Sequence, residues 1–198
     1  MNKHLDGGHM ERFYTTKRLL LRCVDQNYAQ QVLSFYIANK HVLEPWEPTR
    51  AINFYTLSYQ AASLAAERSL ASRHQAIRYY LFEREHPEVI IGTVNFFQIT
   101  HIPGGHCKLG YKLASHAWHK GYAYEAISYL IPLVFHYFSI NRIEADIMPG
   151  NERSIQLIKR LNFSYEGISR NYCEIEGVLQ DHQRYSLLST DPMPTVIP

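Results

Sequence analysis

The sequence predicts an α/β fold organised around a strand–loop–helix turn, and three observations carry that prediction. Strand-like and helix-like periodicities interleave along the chain, in the order strand, two helices, three strands, helix, strand, helix, two strands. Residues 141–148 alternate strictly, with Ile143, Ala145 and Ile147 on one side and Arg142, Glu144 and Asp146 on the other. Just after a loop that must turn at Gly121, Ala123, Ala126, Ile127, Leu130, Ile131, Val134, Phe135 and Phe138 form the apolar stripe of a helix packed on one face.

The 198 residues suffice for one domain with a full core, expected over residues 14–189 between a loose leader (1–13) and a proline-rich tail (190–198). Hydrophobic residues make up 46% and charged residues 19%, a globular balance. A net charge of +2 without any Lys/Arg run gives no basis for nucleic-acid binding. Cys23, Cys107 and Cys173 are isolated and odd in number, so neither a zinc ribbon nor a disulfide framework is supported. Residues 1–12 lack the apolar segment of a signal peptide. The most apolar run, 129–138, is interrupted by Pro132 and His136 and falls short of the ~20 residues of a membrane span. The expectation is a cytoplasmic enzyme or binding protein, without membrane or direct nucleic-acid contact.

In chain order, residues 18–24 read as a strand bounded by Arg18 and Asp25, and residues 26–39 as an amphipathic helix. Residues 41–55 carry Leu43, Pro45, Trp46 and Pro48, and 56–74 form a second helix. Residues 76–83 alternate around Ile77, Tyr79 and Leu81. Glu85-His-Pro-Glu is expected to turn, and 89–100 to form a long strand that Gly92 breaks early. His101-Ile-Pro-Gly-Gly-His106 reads as a turn; its histidines have no third ligand nearby, so no metal is expected. Residues 107–113 lead into the central loop. In the helix that follows, to about Ser139, Pro132 is expected to produce a kink. Asn151 is a good N-cap for the next helix, and Asn162 suits a left-handed C-terminal position. Residues 165–175 and 179–188 pair around Glu176-Gly177.

The central loop, Trp118-His-Lys-Gly-Tyr-Ala123, aims free backbone N–H groups and a helix dipole at one point. A pyrophosphate fits there, and Gly121 lets it approach closely. The loop is not a P-loop, because no second Gly stands before a Gly-Lys-Ser/Thr. It is not the Gly-x-Gly-x-x-Gly dinucleotide fingerprint either.

This loop resembles the pyrophosphate loop, Gln/Arg-x-x-Gly-x-Gly/Ala, of the GCN5-related N-acetyltransferases. Trp118 departs from the family's Gln or Arg, yet Trp-x-Lys-Gly-Tyr-Ala-x-Glu-Ala is similar to the ribosomal-protein-alanine acetyltransferase branch. Thr16-x-Arg-Leu-x-Leu-Arg22, the Leu43-x-Pro-Trp46 segment and Asp181-His182 resemble that branch as well. Asn151-x-x-Ser154, Leu161-x-Phe163 and Glu166-Gly167 match the family's second signature in order and spacing. The resemblance covers about residues 16–188. It implies the acetyltransferase α/β fold, a mixed, mostly antiparallel sheet split in the middle with helices on both faces. It also implies acetyl-CoA as cofactor, with Tyr111, Lys112 and Leu113 beside the pantetheine arm in the split. His119, Lys120, Gly121, Tyr122 and Ala123 would take the pyrophosphate, with Trp118, Asn151 and Ser154 lining the site.

Acetyl transfer to an amine needs a deprotonated nucleophile, a polarised thioester oxygen and a proton for the leaving thiolate. An N–H near Leu113 is the candidate for polarising the carbonyl. Asp146, five residues before Asn151, is where some family members carry a catalytic Glu; it reads equally as a solvated strand position. Ser154 resembles a serine proposed as acid in the ribosomal branch, or caps its helix. The Tyr that serves as acid elsewhere in the family is here Ile158. Cys173 and Glu174 lie one residue out of register with another base. Trp46 either lines the acceptor side or fills the core. The implied activity is Nα-acetylation of a protein N-terminus, possibly ribosomal, by a monomer or homodimer. Small-amine acceptors such as polyamines or aminoglycosides, and a non-catalytic acetyl-CoA-binding protein, are the alternatives.

Overall fold

The computed structural model describes residues 10–102 and 104–197. Most of the expected leader (1–9), Pro103 and Pro198 lie outside the described residues. The first strand, β1, covers Phe13–Thr15, beginning at the last residue expected as leader, and Met10 already packs on the core. Its edge is short because Thr16 closes a tight turn onto Leu19 (N···O 2.9 Å) and returns the chain as β2, Leu19–Arg22.

A 3-10 turn capped by Asp25 leads into α1, Ala29–Ala38, followed by the short α2, Lys40–Leu43, and a second 3-10 turn at Glu44–Trp46. Thr56 caps α3, Leu57–Ser72, by accepting from Tyr59 N–H. Then come β3 (Ala76–Glu83), β4 (His86–Phe97), β5 (His106–Leu113), α4 (Tyr122–Phe138), β6 (Arg142–Ile147), α5 (Glu152–Arg160), β7 (Ser164–Ile175) and β8 (Val178–Leu188).

The strands form one sheet in the order β1-β2-β3-β4-β5-β6-β8-β7, antiparallel except where β5 meets β6. That pair is joined only at His106–Arg142, Cys107–Ile143 and Lys108–Glu144. Beyond these residues the strands part, and the backbone edge of residues 109–113 faces an open fork. The expected split is therefore present, with its closed end at Lys108 and Glu144.

Helices cover both faces. On one, α4 and α5 bury Ala126, Ile127, Leu130, Ile155 and Ile158 against Tyr79, Leu81, Val94, Ile143 and Ala145. On the other, α1 and α3 bury Val32, Phe35, Tyr36 and Leu64 against Tyr80, Phe82 and Ile90. The alternation within β3 sends Tyr79 and Leu81 to one core and Tyr80 and Phe82 to the other, as strand geometry requires. Alternation of β6 is as expected: Ile143, Ala145 and Ile147 are buried.

Two local expectations are corrected. The β3–β4 turn lies at Arg84-Glu85 rather than at Glu85-His-Pro-Glu; Pro87 sits past a bulge in exposed strand, where its missing N–H costs no ladder bond. Gly92 does not break β4. It pairs with Leu81 and Leu113, and a Cβ there would come within 2.4 Å of the Lys112 carbonyl. Pro132 lies inside α4, which continues on both sides of it. Asn151 caps α5, and Asn162 is left-handed (φ 65°), as the sequence indicates.

Candidate active site

The loop before α4 is shaped by two left-handed residues, His119 (φ 60°) and Gly121 (φ 79°). Gly121 is the N-cap and supplies no side-chain cap; the first helical bond runs from Glu125 N–H to the Gly121 carbonyl. Among the described residues no hydrogen bond is donated by the backbone N–H groups of residues 119–124. A helix of 17 residues thus presents unpaired donors and its positive dipole end at one place. Those donors fit a pyrophosphate.

The loop is held from behind by Glu125. Its carboxylate accepts from Thr16 Oγ1 (2.7 Å), from Arg18 N–H (2.8 Å) and from Arg18 Nε (2.7 Å). Arg18 also donates to the Lys120 carbonyl (2.8 Å) and lies over the Tyr122 ring. Trp118 donates from Nε1 to the Leu113 carbonyl (3.2 Å), and the Arg153 guanidinium stacks on its ring at 3.6 Å. The family-atypical Trp118 therefore ties the loop to the end of β5 and to α5. Tyr111 reaches the same helix, donating to the Ser154 carbonyl (3.1 Å).

On the opposite face, alternation along β5 directs Lys108, Gly110 and Lys112 toward the α1/α3 side. Asp146 of β6 shares that face. Its Oδ2 accepts from Lys108 Nζ (2.7 Å) and from the Tyr172 hydroxyl (2.8 Å), while Arg184 Nε stands 3.8 Å from Oδ1. Oδ1 itself is buried and has no hydrogen-bond partner. Tyr172 arrives from β7 because a bulge between Ser169 and Cys173 leaves it unpaired, held by Asn171 N–H on the Asp181 carboxylate (2.9 Å), and it packs on the His182 ring. Burial works against the Lys108 charge, but the hydrogen bonds it donates to Asp146 and Tyr172 outweigh this and raise its pKa above the usual lysine value. Burial, reinforced by Asp146, raises the Tyr172 phenol. Four strands thus meet at the closed end of the fork around a carboxylate with one oxygen committed to two hydrogen bonds and the other buried without one, near Arg184.

Other expected residues fall as follows. Asn151 Oδ1 accepts from Ser154 N–H (3.3 Å), so its side chain is committed to the helix cap. Ser154 contributes its backbone to that cap; its hydroxyl makes no hydrogen bond among the described residues. Ile158 is core. Glu174 is exposed near the hairpin end and makes no ion pair among the described residues, and the Cys173 thiol donates to the Glu174 carbonyl. His106 bonds Thr100 and His101 bonds the His74 carbonyl, and no metal-binding group occurs among the described residues. A cavity of about 480 Å³ lined by Cys23, Glu67 and Arg78 lies away from the fork; a second of about 450 Å³, lined by Arg18, Glu83 and Tyr122, adjoins the loop.

The sequence did not single out Glu47, Lys108 or Tyr172. Arg18 and Glu125 were present in the motifs Thr16-x-Arg and Ala-x-Glu-Ala, whose co-occurrence was the available signal. Trp46 is half-buried beside Glu47, which bridges Arg50 Nη2 (2.6 Å) and Lys112 Nζ (2.5 Å).

This architecture agrees with comparisons to known proteins. The acetyltransferase (GNAT) domain matches residues 18–164. The chain is 33% identical over 180 residues to the [ribosomal protein uS5]-alanine N-acetyltransferase of Escherichia coli, covering 91% of this chain and 92% of that protein. The ribosomal-protein-S5-alanine acetyltransferase of Vibrio fischeri superposes with a TM-score of 0.85 at 28% identity, over 93% of this chain and all of that one. RimJ of Mycobacterium smegmatis, solved in complex with CoA-disulfide, shares the fold at a TM-score of 0.80 and 23% identity, over 86% of this chain and 82% of that one. The chain belongs to the GNAT acetyltransferase family.

Proposed function

We propose that this acetyltransferase uses acetyl-CoA to acetylate the N-terminal α-amino group of a protein, with a ribosomal protein as acceptor, in the cytoplasm. The observation that carries the reading is the fork: unpaired N–H donors at its helix-α4 side, and on its other face the Asp146 carboxylate, held through Oδ2 by Lys108 and Tyr172 while its buried Oδ1 has no hydrogen bond among the described residues. The likeness to ribosomal-protein-alanine acetyltransferases over most of both chains supports the acceptor class.

When bound, acetyl-CoA supplies the acetyl group activated as a thioester. The amides of His119, Lys120, Gly121, Tyr122 and Ala123 would hold its pyrophosphate, and the open edge of Tyr111, Lys112 and Leu113 would hold the pantetheine arm. Trp118, Asn151 and Ser154 line that side. The amine would enter from the α1/α3 face, where the Asp146 carboxylate takes its proton, directly or through water. Lys108 and Tyr172 orient the carboxylate through Oδ2. Ser154, with an uncommitted hydroxyl, is the candidate donor to the departing thiolate.

A polyamine acceptor would favour a free acidic patch. Glu44 and Glu47 flank Trp46, but Glu47 is neutralised by Lys112 and Arg50, and Glu44 accepts from the Tyr55 hydroxyl. Incubating the enzyme and acetyl-CoA with ribosomal proteins from a strain lacking it, followed by tandem mass spectrometry, tests the reading. Acetyl groups on α-amines support it; acetyl groups confined to lysine side chains oppose it.

A further inference from the structure

We propose that Glu47 is a positioning residue for the acceptor, acting through its ion pair with Lys112 to fix the loop of residues 44–56 over the acceptor face of the fork. This rests on the acceptor entering from the α1/α3 face, as argued above.

The loop is assembled in advance around Arg50. That side chain is only 7% exposed and packs on the rings of Tyr36, Phe54 and Tyr55 at 4.9, 4.3 and 5.4 Å. Its guanidinium donates to the Tyr55 hydroxyl and to Glu47 Oε2, both at 2.6 Å, and Tyr55 donates to Glu44 (2.7 Å). At the far end, Gln60 Nε2 bonds the Phe54 carbonyl (2.7 Å), anchoring the loop to α3. These bonds fix the loop within itself and to the helices. Among the described residues, one side-chain hydrogen bond or ion pair joins it to the sheet: Glu47 Oε1 to Lys112 Nζ, at 2.5 Å.

Both ends of that bond are placed where substrates would meet. Lys112 lies between Tyr111 and Leu113 on the open edge of β5, with its side chain on the acceptor face. Glu47 directly follows Trp46 and is the first extended residue after the 3-10 turn, so holding Glu47 also holds Trp46. Glu47 is not placed as a base. Each oxygen carries a cation, and although burial alone would raise its carboxyl, Lys112 and Arg50 keep it below the usual range. An ion pair of this kind sets geometry more than net stability.

The test compares Glu47→Gln and Lys112→Met with the parent enzyme, using an N-terminal alanine peptide and acetyl-CoA. The KM for peptide should rise roughly tenfold in each, equivalent to about 1.4 kcal/mol. In Glu47→Gln the kcat at saturating peptide and the calorimetric affinity for coenzyme A should stay within about twofold, because the Glu47 carboxylate lies on the acceptor side and not beside the coenzyme. The double variant should be no worse than the weaker single, as expected for one shared bond. Lys112→Arg should recover most of the loss. Unchanged peptide KM in folded variants, additive losses, or a parallel fall in coenzyme affinity in Glu47→Gln would overturn the proposal. Should Glu47→Gln not fold, Lys112→Met removes the same bond from the other partner. If the parent turns over no N-terminal peptide, the acceptor reading fails, and amide hydrogen exchange decides the latch separately: faster exchange confined to residues 44–56 in Lys112→Met supports it, and unchanged exchange refutes it.

Discussion

Arg18 Nε lies 2.7 Å from Oε2 of Glu125, whose side chain is 1% exposed, and this contact joins the turn between the first two strands to the first turn of α4. The same guanidinium holds the Lys120 carbonyl, so one side chain fixes both the helix start and the loop before it. Removing the partner of a buried carboxylate typically costs about 3–5 kcal/mol. Because Thr16 and a backbone N–H still serve Glu125 and the Arg18 side chain is 39% exposed, Arg18→Met should cost less than that, about 1.5 kcal/mol by urea denaturation. The variant should also bind acetyl-CoA more weakly. Full stability together with full affinity would show that the contact does not organise the loop.

Gly121→Val should sharply weaken coenzyme binding. Gly121 has φ 79°, a left-handed conformation that costs an L-residue about 1–2 kcal/mol, and a Cβ there would stand 3.5 Å from Arg18 Nη2, the side chain that holds the loop. Calorimetry on the folded variant should show at least roughly a tenfold loss of acetyl-CoA affinity, about 1.4 kcal/mol. Unchanged affinity would move the pyrophosphate elsewhere.

Asp146→Asn should lower kcat by about 10²- to 10⁴-fold, the usual yield of a positioned base, with little change in acetyl-CoA affinity. An α-amine has a pKa of about 8, so free amine accumulates as pH rises and the deficit should shrink. A wild-type pH–rate profile in this variant would pass the proton transfer to water or another group, with Ser154 and Glu174 next to be replaced.

Glu166 should make acid stability pH-dependent. Arg142 grips both its oxygens and Ser186 donates to one of them, and these hydrogen bonds bring its carboxyl down from 4.5 to about 2. A depressed carboxylate contributes stability above its unfolded value, and that contribution is lost as pH falls from 4.5 toward about 2. The effect is moderated by solvent, since Glu166 is 36% exposed. Thermal melts of Glu166→Gln should therefore be less stable than the parent at neutral pH, and the difference should narrow through that window. Parallel melting curves across it would contradict the assignment.

Much of this architecture was legible because it is locally encoded. The alternation of residues 142–147, the cap at Asn151, the left-handed Asn162 and the Gly121 turn each follow from a few adjacent residues. β1 escaped notice because three residues carry no period. The β3–β4 turn was displaced by one position because Pro87 resembles a turn residue yet fits an exposed bulge. Gly92 was misread because its reason, the close Lys112 carbonyl, comes from another strand. The acceptor face was illegible for the same cause: Asp146 was visible, but Lys108 and Tyr172 reach it from 38 and 26 residues away, and the Glu47–Lys112 contact spans three intervening elements of structure.

The most direct test of the central claim is a thiol-release assay with acetyl-CoA against a panel of N-terminal peptides, polyamines and aminoglycosides. Thiol release with peptides that begin with a small residue, at kcat/KM values above those of every other amine, is the predicted result. Turnover of spermidine or an aminoglycoside in preference to every peptide would contradict it, and coenzyme binding without turnover of any amine would make the protein a binder rather than an enzyme of protein N-termini.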